Sequence, residues 1–205
     1  MKTTKVLICA ISVASAVVAA KASAQELSTT LIEITPVLTV RGTLDNGSFV
    51  QGYPSGVMHF TGFDAFCVEP TEDLSYGESL VYQVQDVSRL ANFDQIAHLV
   101  GGYLHSGQTA QDAAAVHWAI WEITTETLCP PSLLDGNVRL ITPDSQATAD
   151  LANHYLLNIN SYAPADLTYL TNAGGQDVVT WNVIPEPGSL GLVAFSTLLL
   201  LRRRR

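Results

Sequence analysis

Two phrases in the middle of the chain carry residues able to do chemistry: Phe66-Cys67-Val68-Glu69-Pro70 and Val116-His117-Trp118-Ala119-Ile120-Trp121-Glu122-Ile123. A cysteine beside a histidine can become a thiolate nucleophile, because a cationic neighbour lowers the thiol pKa. Glu69 or Asp64 could then orient the imidazole, and the pair would serve a thiol-dependent hydrolase or transferase. Against this stands a plainer reading: a histidine on a helix beside Ala113, Ile120 and Trp121 is more often a packed ring than a catalyst. Metal chemistry finds no support, since His98, His105 and His117 are spaced 7 and 12 apart with no short ligand pair. No cofactor motif is present.

The elements that would position these residues change character along the chain. Leu27 to Ile34, Val37 to Leu44, Phe49 to Gln51, Val57 to Val68 and Leu80 to Val87 are rich in strand formers. Pro36, Asp45-Asn46-Gly47, Pro54-Ser55-Gly56 and Ser75-Tyr76-Gly77 punctuate them as turns. Helical spacing then takes over: Phe93, Ile96, Ala97, Val100 and Leu104 predict a helix over about 94–104, and Ala113, Val116, Ile120 and Ile123 predict one over about 109–125. A third is expected from a Thr142 cap, with Pro143 in its first turn, to about Asn158. Val178 to Ile184 reads as a closing strand. The fold class is α+β: an antiparallel sheet or barrel first, about three helices after it, then a returning strand.

The two ends bear on where this body works. Met-Lys-Thr-Thr-Lys, an apolar run from Val6 to Ala20 and Ala22-Ser23-Ala24 have the three-part form of a secretory signal peptide, with signal peptidase cleaving after Ala24. At the other end Pro185-Glu186-Pro187 precedes an apolar run to Leu201, and Arg202, Arg203, Arg204 and Arg205 follow. Residues 188–201 would make about 21 Å of helix, short for a membrane span of about 20 residues. The arginines favour the cytoplasmic side and place the body outside. The chain thus divides into a signal peptide (1–24), an exported body (25–184) and a tail (185–205) with one short transmembrane helix.

Within the body the basic residues are Arg41, Arg89 and Arg139. The chain's 19 acidic residues less Glu186 leave 18, so the body carries a formal charge of −15. Such a charge repels nucleic acid phosphates and anionic membrane surfaces. Cys9 leaves with the signal peptide, so Cys67 and Cys129 remain in an oxidising compartment, where a Cys67–Cys129 disulfide is the default reading. It would contribute roughly 4 kcal/mol in the chain-entropy model.

The tail resembles the PEP-CTERM sorting signal of Gram-negative bacteria. That resemblance implies recognition by a membrane exosortase, removal near Pro185-Glu186-Pro187, and delivery to the cell surface or extracellular matrix. The two central phrases, with Gln95-Ile96-Ala97-His98-Leu99-Val100 between them, resemble the thioester domains of bacterial surface adhesins. In that family a cysteine joins a glutamine side chain with loss of ammonia, and an amine of the host or matrix attacks the bond. The cysteine position carries over as Cys67; the glutamine position falls on His117, which has no carboxamide. Gln111 lies six residues earlier, a net rotation of about −120° on a helix, and faces elsewhere. The resemblance implies a thioester-like adhesion domain that lacks the bond and is not an enzyme, with a ligand the sequence does not name.

Overall fold

The computed structural model describes residues 25–126, 131–141 and 143–181. Among these residues seven strands form one antiparallel sheet: β1 (Glu26–Thr43), β2 (Phe49–Phe60), β3 (Phe63–Cys67), β4 (Ser79–Gln85), β5 (Arg139–Leu140), β6 (Thr168–Thr171) and β7 (Val178–Thr180). Three helices accompany it: α1 (Phe93–Leu104), α2 (Ala110–Thr125) and α3 (Gln146–Leu157). The strand order is β2-β3-β7-β6-β4-β1-β5, and β1 also pairs with β2. Six strands therefore close into a ring, with β5 attached to the end of β1.

Closure depends on one long strand having two partners. Glu26 to Thr30 of β1 pair with β4, whereas Leu31 to Thr43 pair with β2. The β1–β2 register shifts at three places, between Leu31 and Glu33, Ile34 and Val37, and Val40 and Arg41. Bulges of this kind bend and twist a strand, so that it leaves one neighbour and joins another. Pro36 sits at the second shift, where its missing N–H costs no ladder bond.

The sequence-based turn at Pro54-Ser55-Gly56 is corrected: these residues lie inside β2, opposite Thr39, Leu38 and Val37. β2 meets β3 only from Met58 onward, so Pro54 occupies a stretch with one open edge, where a strand proline is tolerated. The predicted strand 57–68 is instead a hairpin, β2 turning through Thr61-Gly62 into β3. Two strands, not one, return at the end, and β7 fits between β3 and β6.

Helix α2 is the centre of the molecule. Every residue from Ala113 to Ile123 is buried, so the apolar stripe read from its spacing is only one side of a helix covered all round. The strands enclose one side, and α1 and α3 pack on it as well. Its start is a capping box: the Thr109 hydroxyl accepts from the Asp112 N–H at 3.1 Å, and the Asp112 carboxylate accepts from the Thr109 N–H at 3.0 Å. Two glycines allow close approaches: a Cβ on Gly42 of β1 would collide with the Trp118 ring of α2, and one on Gly56 of β2 with the Pro36 carbonyl of β1.

The third helix starts later than expected. Ser145, rather than Thr142, precedes α3, and Thr142 lies outside the described residues. Residues 143–145 make a turn closed by Gln146 N–H on the Pro143 carbonyl. That turn is tied to β1, because Ser145 Oγ accepts from Arg41 N–H at 2.9 Å and Arg41 pairs with Asp144. Among the described residues no helix is long and apolar enough to cross a membrane. Both ends of the chain, including the expected transmembrane helix, lie outside those residues.

Candidate functional site

Cys67 closes β3, opposite Val178 of β7, and the ladder continues one step as Val68 N–H donates to Asp177 O at 2.9 Å. The chain then turns at Glu69-Pro70 and folds back on the sulfur. Cys67 Sγ donates to Glu69 O at 3.1 Å, and Glu69 N–H approaches the sulfur at 3.3 Å. The side chain is 0% exposed. Burial drives the thiol pKa well above its usual value, and the carboxylates of Glu69 and Asp177 push the same way. The Glu69 N–H and the Trp121 indole N–H oppose this without reversing it. The Trp121 N–H faces the sulfur, yet it makes no hydrogen bond of ordinary geometry among the described residues.

His117 sits in the buried stretch of α2 and turns toward β2. Its Nδ1 lies 3.2 Å from the Gly56 N and 3.1 Å from the Gly56 O, and one tautomer can use only one of these. Its Nε2 is buried without a partner among the described residues. The ring stands edge-on to Trp121 at 4.5 Å between centroids. Burial lowers its pKa to about 4, against a smaller opposing effect of Gly56, so the imidazole is neutral near pH 7. Trp118, the next residue, donates its indole N–H to Ser55 Oγ at 2.8 Å. Both side chains therefore fasten α2 to the Ser55-Gly56 stretch of β2.

Cys67 and His117 share Trp121 as a neighbour, but no hydrogen bond joins them. A neutral imidazole cannot depress the thiol pKa as an imidazolium would. Neither expected third group reaches His117. Asp64 Oδ1 is 2.5 Å from His59 Nδ1, and Glu69 Oε2 accepts from Asp177 N–H at 3.0 Å. Gln111 bonds Thr148 of α3 at 2.7 Å, in keeping with its rotation away from His117. The Cys67 thiol forms no disulfide among the described residues, and Cys129 lies outside them. No group of three or more His, Cys, Asp or Glu side chains among those residues is placed to hold a metal ion.

Two residues near these positions escaped the sequence reading. Gln176 is buried, and its amide donates to the carbonyls of Glu72 and, at 3.4 Å, Glu69, the carbonyl that also accepts from Cys67. No local signal marks it; only the pairing of β7 with β3 brings residue 176 beside residue 69. His59 and Asp64 face each other across the β2–β3 hairpin. Their spacing around Thr61-Gly62 would have placed them together, had 57–68 been read as two strands.

No protein family matches this sequence, no curated protein matches it, and no solved structure matches its fold.

Proposed function

We propose that this chain is an exported protein, carried to the cell surface or extracellular matrix by its PEP-CTERM-like tail. Its body is a non-enzymatic, thioester-like adhesion domain without the thioester at position 117. Signal peptidase and an exosortase are its processing partners, and the membrane holds it only until the tail is removed. What supports the placement is the fixed order of Pro185-Glu186-Pro187, an apolar run and four arginines.

The observation that carries the reading of the body is the state of Cys67. The thiol is fully buried, closed on the Glu69 turn, kept protonated by its surroundings and not bonded to His117. A nucleophile needs the opposite: access, and a neighbour that favours the thiolate. His117 fills a packing role, holding α2 to Gly56.

The sorting reading is tested by replacing both prolines, Pro185→Ala with Pro187→Ala. Retention of the uncleaved tail in the membrane, seen as intact mass and cell fractionation, is the expected result. Surface delivery of the variant with its tail removed would overturn it.

A further inference from the structure

The His59–Asp64 pair is not isolated on the surface: it lines a cleft of about 360 Å³ together with Thr35, Pro36, Val57, Tyr103, Gln108 and Trp181. That volume lies within the range of small-molecule sites. We propose that this cleft binds one neutral sugar ring, its C–H face on Trp181 and its hydroxyls on Asp64 and Gln108.

The wall comes first. Trp181 is only partly buried, and its ring is backed by Phe66 at 5.4 Å and Tyr103 at 6.3 Å between centroids. It is thus a preset apolar plane, continued by Val57 and Pro36. A pyranose presents a comparable plane of C–H bonds, with hydroxyl groups around its edge.

The polar side is rich in acceptors. Gln108 is exposed and held in the left-handed region at φ 50°, with its backbone N–H on Ser106 Oγ and its Nε2 on the Leu104 carbonyl. Its amide oxygen remains to accept at the rim. Asp64 contributes a carboxylate, and Thr35 contributes backbone and hydroxyl oxygens. A donor-rich ligand fits such a lining, whereas an anion does not, since Arg41, Arg89 and Arg139 all lie outside it.

The choice between a sugar and an ammonium rests on what the carboxylate already meets. His59 Nδ1 lies against Asp64, and His59 Nε2 against the Thr35 carbonyl. The Asp64 carboxylate therefore faces a ring nitrogen rather than standing open to a cation, and neutral hydroxyls, which can share an acceptor already engaged, suit it better than an ammonium.

The tryptophans supply the readout. Trp118 and Trp121 are 0% exposed, so collisional quenching of the full chain by acrylamide reports Trp181. Methyl glycosides of glucose, mannose and galactose, and N-acetylglucosamine, are the probes, with glucuronate and tetramethylammonium as counter-probes. At least one neutral sugar should shield Trp181 while both counter-probes leave it open. In ligand-observed NMR, Trp181→Leu should weaken that sugar at least about tenfold, and Gln108→Ala by a few-fold. Shielding by tetramethylammonium equal to that by the sugars overturns the assignment, as does shielding by none of them. If Trp181→Leu does not fold, the exposed Gln108→Ala variant decides, and binding unchanged in it overturns the proposal.

Discussion

Two histidines in this molecule meet at β2 in opposite circumstances, His117 packed against it from α2 and His59 part of it. His117 is buried, holds one nitrogen on Gly56 and leaves the other without a partner among the described residues; burial makes it neutral. His59 keeps part of its side chain in solvent and has an acceptor on each nitrogen. The sequence reading placed chemistry at the first and none at the second. What separates them is access and hydrogen-bond supply, not residue type: the buried ring meets only the backbone of Gly56, whereas the partly exposed one meets a carboxylate and a carbonyl and reaches solvent.

The largest way to break this contrast is at Gly56, where β2 passes both Pro36 and His117. Gly56→Ala puts a methyl group against the Pro36 carbonyl, a backbone atom that cannot rotate aside. The expected cost is about 3 kcal/mol, read as a lower urea midpoint. Gly52→Ala is the control, because nothing lies within 4 Å of its added Cβ and only its positive φ of 67° opposes the change. Equal midpoints for the two variants would mean that β2 does not approach β1 and α2 as described.

Next comes pH. His117 is depressed to about 4 from 6.5, so the unfolded chain binds the extra proton between those values. Its contribution to stability is present above pH 6.5 and is lost as pH falls toward 4, by about 3 kcal/mol in all. Glu122 works in the opposite sense. It is 0% exposed, one oxygen accepts from Ser132 N–H at 2.8 Å, and the other has no partner among the described residues. Burial raises its pKa to about 7, with Glu126 adding to the rise, so its contribution is present below pH 4.5 and is lost as pH climbs through 7. The two trends oppose each other in the native protein, and single variants expose them. His117→Gln should leave a stability that falls with pH across 4.5–7. Glu122→Gln should leave one that rises across 4–6.5, by about the 3 kcal/mol of His117. Slopes of the same sign in both variants would refute the assignment.

The same contrast explains what was legible beforehand. α1 and α2 could be placed to within a residue or two, because Phe93 to Leu104 and Thr109 to Thr125 carry helical spacing and, at Thr109 and Asp112, a cap. These signals are local. The burial of α2 on all sides was not legible, since it comes from strands far away in sequence. Pro54-Ser55-Gly56 has turn composition, yet tertiary packing keeps it extended: Ser55 and Gly56 are held by Trp118 and His117. The Cys67 and His117 phrases lie at the seam between α2 and the strands, a placement that their composition alone does not give. Gln176 could not be found without knowing that β7 lies between β3 and β6.

The smallest expected effect separates packing from catalysis most directly. A thiol at 0% exposure is reached by a reagent only when the structure opens, so its alkylation rate follows the opening equilibrium. In the native protein near neutral pH, Cys67 should resist iodoacetamide, and it should react promptly once urea unfolds the chain. His117→Gln should leave the native rate of Cys67 unchanged after correction for stability, because a neutral imidazole with no bond to the sulfur contributes nothing to its ionisation. Intact mass after methylamine treatment should show neither uptake of the amine nor the earlier loss of one ammonia. Fast native alkylation that slows in His117→Gln would restore the thiol–imidazole pair. A mass lighter by one ammonia, with methylamine uptake, would instead make a carboxamide near Cys67, with Gln176 the one sharing its Glu69 acceptor, the partner that position 117 lacks.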